Sequence, residues 1–350
     1  MNKVIEIWST YPPPFGGVSV HSMRLFNNLR NKHNIIFENF NGATHSPQNY
    51  VFAVKCQFIK VFSYLFKPNR IIHLHSNRLI VWFLMILYPK STKIIVTIHN
   101  QNLKKNLSYY KNILLQIFFR KVSYIFINDS EFAKYLIDKY TIDTKKIVIV
   151  PAFIPPTEDE SKSLPLEIES FLTRFKKIVS SFAWKLYKSD GKDVYGIEQI
   201  IDAFSFINEN DKTVGLVLLI PIIKDQFFFK KIINKINNYK LDEFVLIYNS
   251  HIPNAFDLWR RSNLFLRCTS SDIEGLSIKE ALYFNVPVIA SDVVKRPNGV
   301  HLYTYGDIKH LSTLMYEILK NLDDQSHSYN LQTYNLENGL TVIDEIYSRI

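Results

Sequence analysis

Residues 267–292 read RCTSSDIEGLSIKEALYFNVPVIASD, and the succession of turn, helix and strand formers in this stretch decides the fold. Ser270, Ser271 and Asp272 are helix N-cap formers, Gly275 permits a close approach of backbone to a ligand, and IKEALYF continues with helical propensity. Asn285, Val286 and Pro287 then stop the helix, and VIAS reads as a short buried strand. A loop-to-helix junction of this kind offers unpaired amides at the positive end of the helix dipole, which suits a phosphate. Asp272 and Glu280 stand either side of the helix start, where carboxylates accept hydrogen bonds from hydroxyls. That is chemistry able to hold a nucleotide sugar. A plainer reading stands beside it, in which the acids only partner the helix dipole and the last residues only connect helix to strand.

The segment resembles the acidic signature of the GT4-type glycosyltransferases of the GT-B fold, in which two acids are separated by seven residues; Asp272 and Glu280 keep that spacing. The family usually has Glu first and a Gly ahead of the Pro-Val step, where this chain has Asp272 and Asn285. Asn tolerates the left-handed conformation that ends a helix, so the turn survives. The resemblance implies an α/β, GT-B architecture of two Rossmann-like domains facing an interdomain cleft, a nucleotide-diphosphate sugar as donor, and transfer with retention of configuration. It assigns the ribose hydroxyls to Glu280, the transferred sugar to Asp272, and the diphosphate to the amides of Leu276 and Ser277 beyond Gly275.

A chain of 350 residues is long for one core and natural for two domains. Residues 1–150 contain 20 Lys and Arg against 6 Asp and Glu, so the overall charge of +10 splits into +14 there and −4 in the remainder. No acid stands between Glu38 and Asp129, and the aromatic-rich runs of residues 51–121 fall in that gap. A basic, aromatic surface suits anionic lipid headgroups. A solvated basic face over ordinary core helices is the alternative, and a nucleic-acid patch lacks any accompanying binding motif. Cys56 and Cys268 are far apart with no CxxC or Cys/His spacing, which fits a reducing compartment. The opening MNKVIEIWST reads as a first strand and not as a signal peptide, and Leu79 to Tyr88 is too short an apolar run to span a membrane.

The first half reads VIEIW, NIIFENF, RIIHLHS, KIIVTIH, VSYIFIN and KIVIVPA, separated by helical stretches; the second reads KKIVSSFAW, TVGLVLLIP, EFVLIYN, SNLFLRC and VPVIAS. This is the βαβ alternation of parallel, doubly wound sheets. VPAFIPPTEDESKSLP interrupts it with four prolines, so the expected domains are 1–155 and 171–335 with a linker at 156–170. By the resemblance, a last helix at 336–350 packs back onto the first domain.

The remaining site candidates follow predicted strands. Gly16 and Gly17 close the loop after the first strand, and in the resembled pattern this turn lies against donor phosphate and acceptor; His21, four residues on, reads as a helix-surface residue. His73, His75 and His99 end two strands, and a histidine there can hydrogen-bond a sugar hydroxyl. The resemblance favours His99 beside the sugar ring, with His75 in support, while His73 reads equally well as a core histidine. The family's two diphosphate-binding cations map onto Lys185 and onto Tyr195, which stands where Lys is expected, leaving Lys192 or Lys188 to reach in. No metal is expected, because Asp190 and Asp193 form no paired carboxylate site.

The expected protein is a metal-independent, GT4-like enzyme. It moves a sugar from a UDP- or GDP-sugar, with no other cofactor, to a saccharide or lipid-linked acceptor, as in bacterial polysaccharide assembly. Its expected place is the cytoplasm, peripherally on the inner face of the membrane, with no nucleic-acid partner. Two other readings remain: a GT-B sugar-nucleotide epimerase or hydrolase that consumes donor without acceptor, and a catalytically silent GT-B scaffold.

Overall fold

Runs such as IIHL, KIIVTI and VGLVLL are apolar at consecutive positions, the pattern of strands buried on both faces by crossover helices. The structure, a computed structural model, describes residues 4–13, 16–41, 50–161, 163–252, 255–272, 275–322 and 338–350. They fall into two units, residues 1–157 with 337–350, and residues 158–336.

In the first unit the order is β1 (Ile5–Ser9), α1 (Gly17–Leu29), β2 (Ile35–Asn39), β3 (Val51–Ala53), α2 (Gln57–Ser63), β4 (Ile71–Leu74), α3 (Leu79–Met85), β5 (Lys93–Ile98), α4 (Tyr109–Lys121), β6 (Tyr124–Ile127), α5 (Ser130–Tyr140) and β7 (Ile147–Ile149). The seven strands form one parallel sheet in the order β3-β2-β1-β4-β5-β6-β7. Side chains of α2, α3, α4 and α5 build one core against it, centred on Trp82, Phe118 and Phe119. Leu25, Phe26 and Leu29 of α1 build the other. The strand β3 went unread in the sequence, being only three residues long and without a buried residue.

The second unit runs α6 (Leu166–Leu172), β8 (Lys177–Phe182), β9 (Lys185–Leu186), β10 (Lys188–Ser189), β11 (Lys192–Asp193), α7 (Ile197–Asn210), β12 (Val214–Leu219), β13 (Ile222–Ile223), α8 (Gln226–Asn238), β14 (Val245–Tyr248), α9 (Phe256–Arg260), β15 (Leu264–Arg267), α10 (Leu276–Tyr283), β16 (Val288–Ser291), β17 (Val300–Tyr303) and α11 (Ile308–Asn321). Its main sheet is parallel in the order β14-β12-β8-β15-β16-β17. Helices α7, α8 and α11 pack one core, and α6, α9 and α10 the other. Residues 158–170, read as linker, belong to this unit and already contain the start of α6.

Both sheets reverse their strand order beside the first strand, between β1 and β4 and between β8 and β15, the place where open α/β sheets collect ligands outside their C-terminal ends. A final helix, α12 (Gly339–Arg349), belongs to the first unit; residues 336 and 337 of the stretch read as this helix lie outside the described residues. Its Asp344 accepts from Lys32 and pairs with His33, and Ile343 and Ile346 enter the α1 core.

Candidate active site

In the second unit the candidate site is the turn from β15 into α10. Gly275 caps the helix, so the amides of Leu276 and Ser277 open its first turn and have no partner within the helix. At the other end the chain leaves through Asn285 at φ +58, where Val286 N–H donates to the Ala281 carbonyl and Asn285 N–H to that of Leu282. This left-handed stop is the role read for Asn285 from the sequence. Glu280 is half-buried and its Oε2 accepts from the Trp259 indole at 3.2 Å, which aims the carboxylate.

Asp272 has a surrounding that the sequence did not suggest. Arg267 donates to both its oxygens, Nε to Oδ2 at 3.0 Å and Nη2 to Oδ1 at 3.1 Å, and Arg296 Nη1 adds 2.7 Å to Oδ2. Burial alone would raise its pKa, but the two guanidinium groups outweigh it and hold the carboxyl below the usual range. Arg296 is itself buried and tied to the Ser291 carbonyl. With three charge-assisted bonds already accepted, Asp272 is equipped first to fix Arg267 and only then to meet a ligand.

Lys185 is exposed at the head of β9, directly after the switch strand β8. The stretch behind it is a tight hairpin: β10 and β11 pair antiparallel around Asp190 and Gly191, both at positive φ. Asp-Gly is the strongest short hairpin signal in a sequence. Lys192 projects exposed from this hairpin, whereas Lys188 is paired with Glu198 at 3.1 Å and lies over the Phe228 ring. Asp193 is buried and accepts the amides of Tyr195 and Glu198, so it caps α7. Gly196, at φ +69, sits where a Cβ would stand 2.0 Å from the Cys268 carbonyl, which admits glycine alone and draws the start of α7 against the end of β15. Tyr195, standing where a Lys was expected, has the Arg267 guanidinium 5.3 Å over its ring. Arg267 thus brings a cation beside the position where the pattern lacks one, and sequence reasoning missed it because it looked for the cation within the same loop.

In the first unit Gly16 caps α1, its N–H donating to Ser19 Oγ at 2.9 Å. Gly16 is extended, Gly17 is helical, and neither has a positive φ; what they provide is room, since nothing lies within 4 Å of a Cβ on Gly17. His21 is buried and not on the helix surface as read, because α1 turns this face onto the sheet ends; its Nδ1 lies 2.9 Å from the Ala152 carbonyl. His75 Nδ1 and His99 Nε2 are 2.9 Å apart, and burial, reinforced by neighbouring histidines, holds both rings well below the ordinary histidine range. His73 is a satisfied core residue between Tyr347 and Thr97, pushed down to about 3 by burial.

Within residues 51–121, α4 leaves Tyr109, Tyr110, Ile113, Leu114 and Ile117 exposed on one stripe while Leu115, Phe118 and Phe119 face the core. Helix α2, which packs on α3, exposes Phe58, Ile59 and Phe62. No helix among the described residues is long and apolar enough to cross a membrane. Cys56 is exposed and Cys268 buried, and both are free thiols.

Residues 15–158 match the model of Glycosyltransferase Family 4. The match falls almost wholly within the first unit. It lies in the half of the chain opposite to residues 267–292. Over the whole chain the fold is GT-B. A glycosyltransferase from Rickettsia africae superposes with a TM-score of 0.67 at 15% identity, covering 100% of this chain and 99% of that one. Anabaena HepE, solved with UDP and glucose, gives 0.61 at 13% identity over 100% and 99%. Sucrose-phosphate synthase from Thermosynechococcus elongatus gives 0.61 at 13% over 99% and 98%. No curated protein matches the sequence significantly.

Proposed function

We propose that this protein transfers a sugar from a nucleoside-diphosphate sugar to a saccharide acceptor held on or near an anionic membrane, with retention of configuration. The observation that carries the reading is the β15–α10 turn, which gathers the open amides of Leu276 and Ser277, the Arg267 guanidinium and the Glu280 carboxylate on one strand end and one short helix. As the bond from sugar to β-phosphate breaks, negative charge grows on the diphosphate, and fixed donors stabilise it without reorganising. Arg267 and Lys185 meet that charge, and the start of α10 adds its dipole. Asp272 holds the Arg267 fork in register, and Glu280, aimed by Trp259, takes the ribose hydroxyls. In the first unit, neutral His99, with His75 against it, offers a ring nitrogen to a sugar hydroxyl. Gly17, one turn before His21 on the same face of α1, leaves space there.

Uridine is the first donor base to try, because HepE was solved with UDP and with UDP-glucose. The test is acceptor-dependent turnover of labelled UDP- and GDP-sugars. Product with the donor's anomeric configuration supports the proposal; donor loss without acceptor points to an epimerase or hydrolase, and nucleotide binding without turnover points to a scaffold.

The membrane part of the proposal rests on the apolar stripes of α2 and α4, set in a stretch free of acids. Vesicles containing phosphatidylglycerol are expected to co-sediment the protein at low salt and to release it as salt rises, with Tyr110→Ser and Ile117→Ser together weakening binding about tenfold. Equal binding to neutral vesicles, or none to either, would remove the membrane from the account.

A further inference from the structure

Three histidines from separate segments meet at the C-terminal edge of the first unit's sheet: His21 from α1, His75 just beyond β4 and His99 just beyond β5. One ring nitrogen of each lies within 4.8 Å of the other two. The ring centroids are 5.0 Å apart for His21 and His99, 5.2 Å for His75 and His99, and 5.6 Å for His21 and His75. Imidazoles sharing one tetrahedral ion, with metal–nitrogen bonds of about 2.0–2.1 Å, place their centroids about 5 Å apart. The rings therefore stand close to coordination spacing, and nitrogens up to 4.8 Å apart draw in to about 3.3 Å on one ion. The closest nitrogens, 2.9 Å apart between His75 and His99, need open only to about 3.3 Å for both to reach one ion.

Two details point the same way. His21 donates from Nδ1 to the Ala152 carbonyl, which fixes its tautomer and leaves the lone pair on Nε2; a backbone carbonyl on the second nitrogen is the usual support of a metal-bound histidine. His75 is only 2% exposed and its Nε2 has no hydrogen-bond partner, so the ring is engaged only through Nδ1, with His99, and no protein group ties it away from the cluster. The donors are all imidazole, which selects zinc, cobalt, nickel or copper over magnesium or calcium.

We propose that His21, His75 and His99 form a binding site for a single divalent late-transition-metal ion, zinc being the first candidate, with a fourth position open. The ion clips α1 to the ends of β4 and β5. Since His99 is also assigned to the sugar, a clause of this proposal rests on the transferase reading: zinc and sugar compete, and zinc lowers transfer. Ion binding itself does not depend on that reading and is measured without turnover.

The experiment uses the full chain without an affinity tag, dialysed against EDTA, and titrates it with Co2+ and Zn2+ by absorption and calorimetry. One ion per chain with the visible spectrum of tetrahedral, nitrogen-ligated cobalt is expected. Loss of an outer hydrogen-bond partner costs a metal site about 10–100-fold in affinity, so removing a ligand, in His75→Gln or His21→Gln, is expected to cost at least about 100-fold. His21→Gln leaves the His75–His99 pair in place and serves if His75→Gln fails to fold, circular dichroism deciding which variants are read. No saturable binding by the natural chain would overturn the site and leave a hydrogen-bonded histidine cluster; unchanged affinity in a folded variant would overturn it equally.

Discussion

Lowering the pH from 7.5 to 5.5 is expected to cost the first unit about 4 kcal/mol of stability. His73, His75 and His99 are buried and stay neutral in the fold, His73 down to about 3, while an unfolded histidine takes up a proton near 6.5. Below that value the unfolded chain binds more protons than the folded one, so stability is fully present above about pH 6.5 and falls as the pH falls. One unit below, each histidine accounts for about 1.4 kcal/mol, hence about 4 for three. The carboxyls of Asp272 and Asp344, held low by their cations, lose their contribution only nearer pH 4 and fall outside this window. Native-state hydrogen exchange of the β4 and β5 amides reads the opening free energy of this unit directly. An opening energy that stays flat between the two pH values would show that the histidines are not buried neutral.

Arg267→Ala is expected to lower kcat/KM by about 10²–10³, the range for loss of one fixed donor to a developing charge. The fork of Arg267 is held by Asp272 on two sides and by the Phe182 carbonyl through Nη1, leaving two N–H groups for a diphosphate. A merely structural arginine would weaken UMP and UDP binding alike. The proposed role weakens UDP strongly and UMP little, and Arg267→Lys recovers part of the loss because it restores charge without the fork. Equal effects on the two nucleotides would contradict it.

The two parallel sheets were legible in the sequence because both faces of each strand are covered, so KIIVTI and VGLVLL announce themselves without alternation. The β15–α10 turn was legible for the same local reason: Gly275, Asn285 and the strand after it are punctuation that acts within a few residues. What escaped reading depends on contacts far apart in the chain. Arg267 looks like the last residue of a strand until Tyr195 lies beneath it, and Arg296, 24 residues after Asp272, gives no sign that it closes on that carboxylate. Likewise His21, His75 and His99 have neither paired carboxylates nor Cys/His spacing beside them in the chain and converge only through the order of β1, β4 and β5 in the sheet. The Asp190-Gly191 hairpin is a local signal of the same kind as the β15–α10 turn, an Asp-Gly step between two short paired strands.

The most direct test is thermal stability with UDP, GDP, CMP and ADP, on the natural chain and on Glu280→Ala. A ligand at about a hundred times its dissociation constant adds roughly 2.7 kcal/mol. One nucleotide, UDP first, is expected to give that gain in the natural chain and to lose it at the same concentration in Glu280→Ala. No gain with any nucleotide, or the same gain in the variant, would contradict a donor site at the β15–α10 turn.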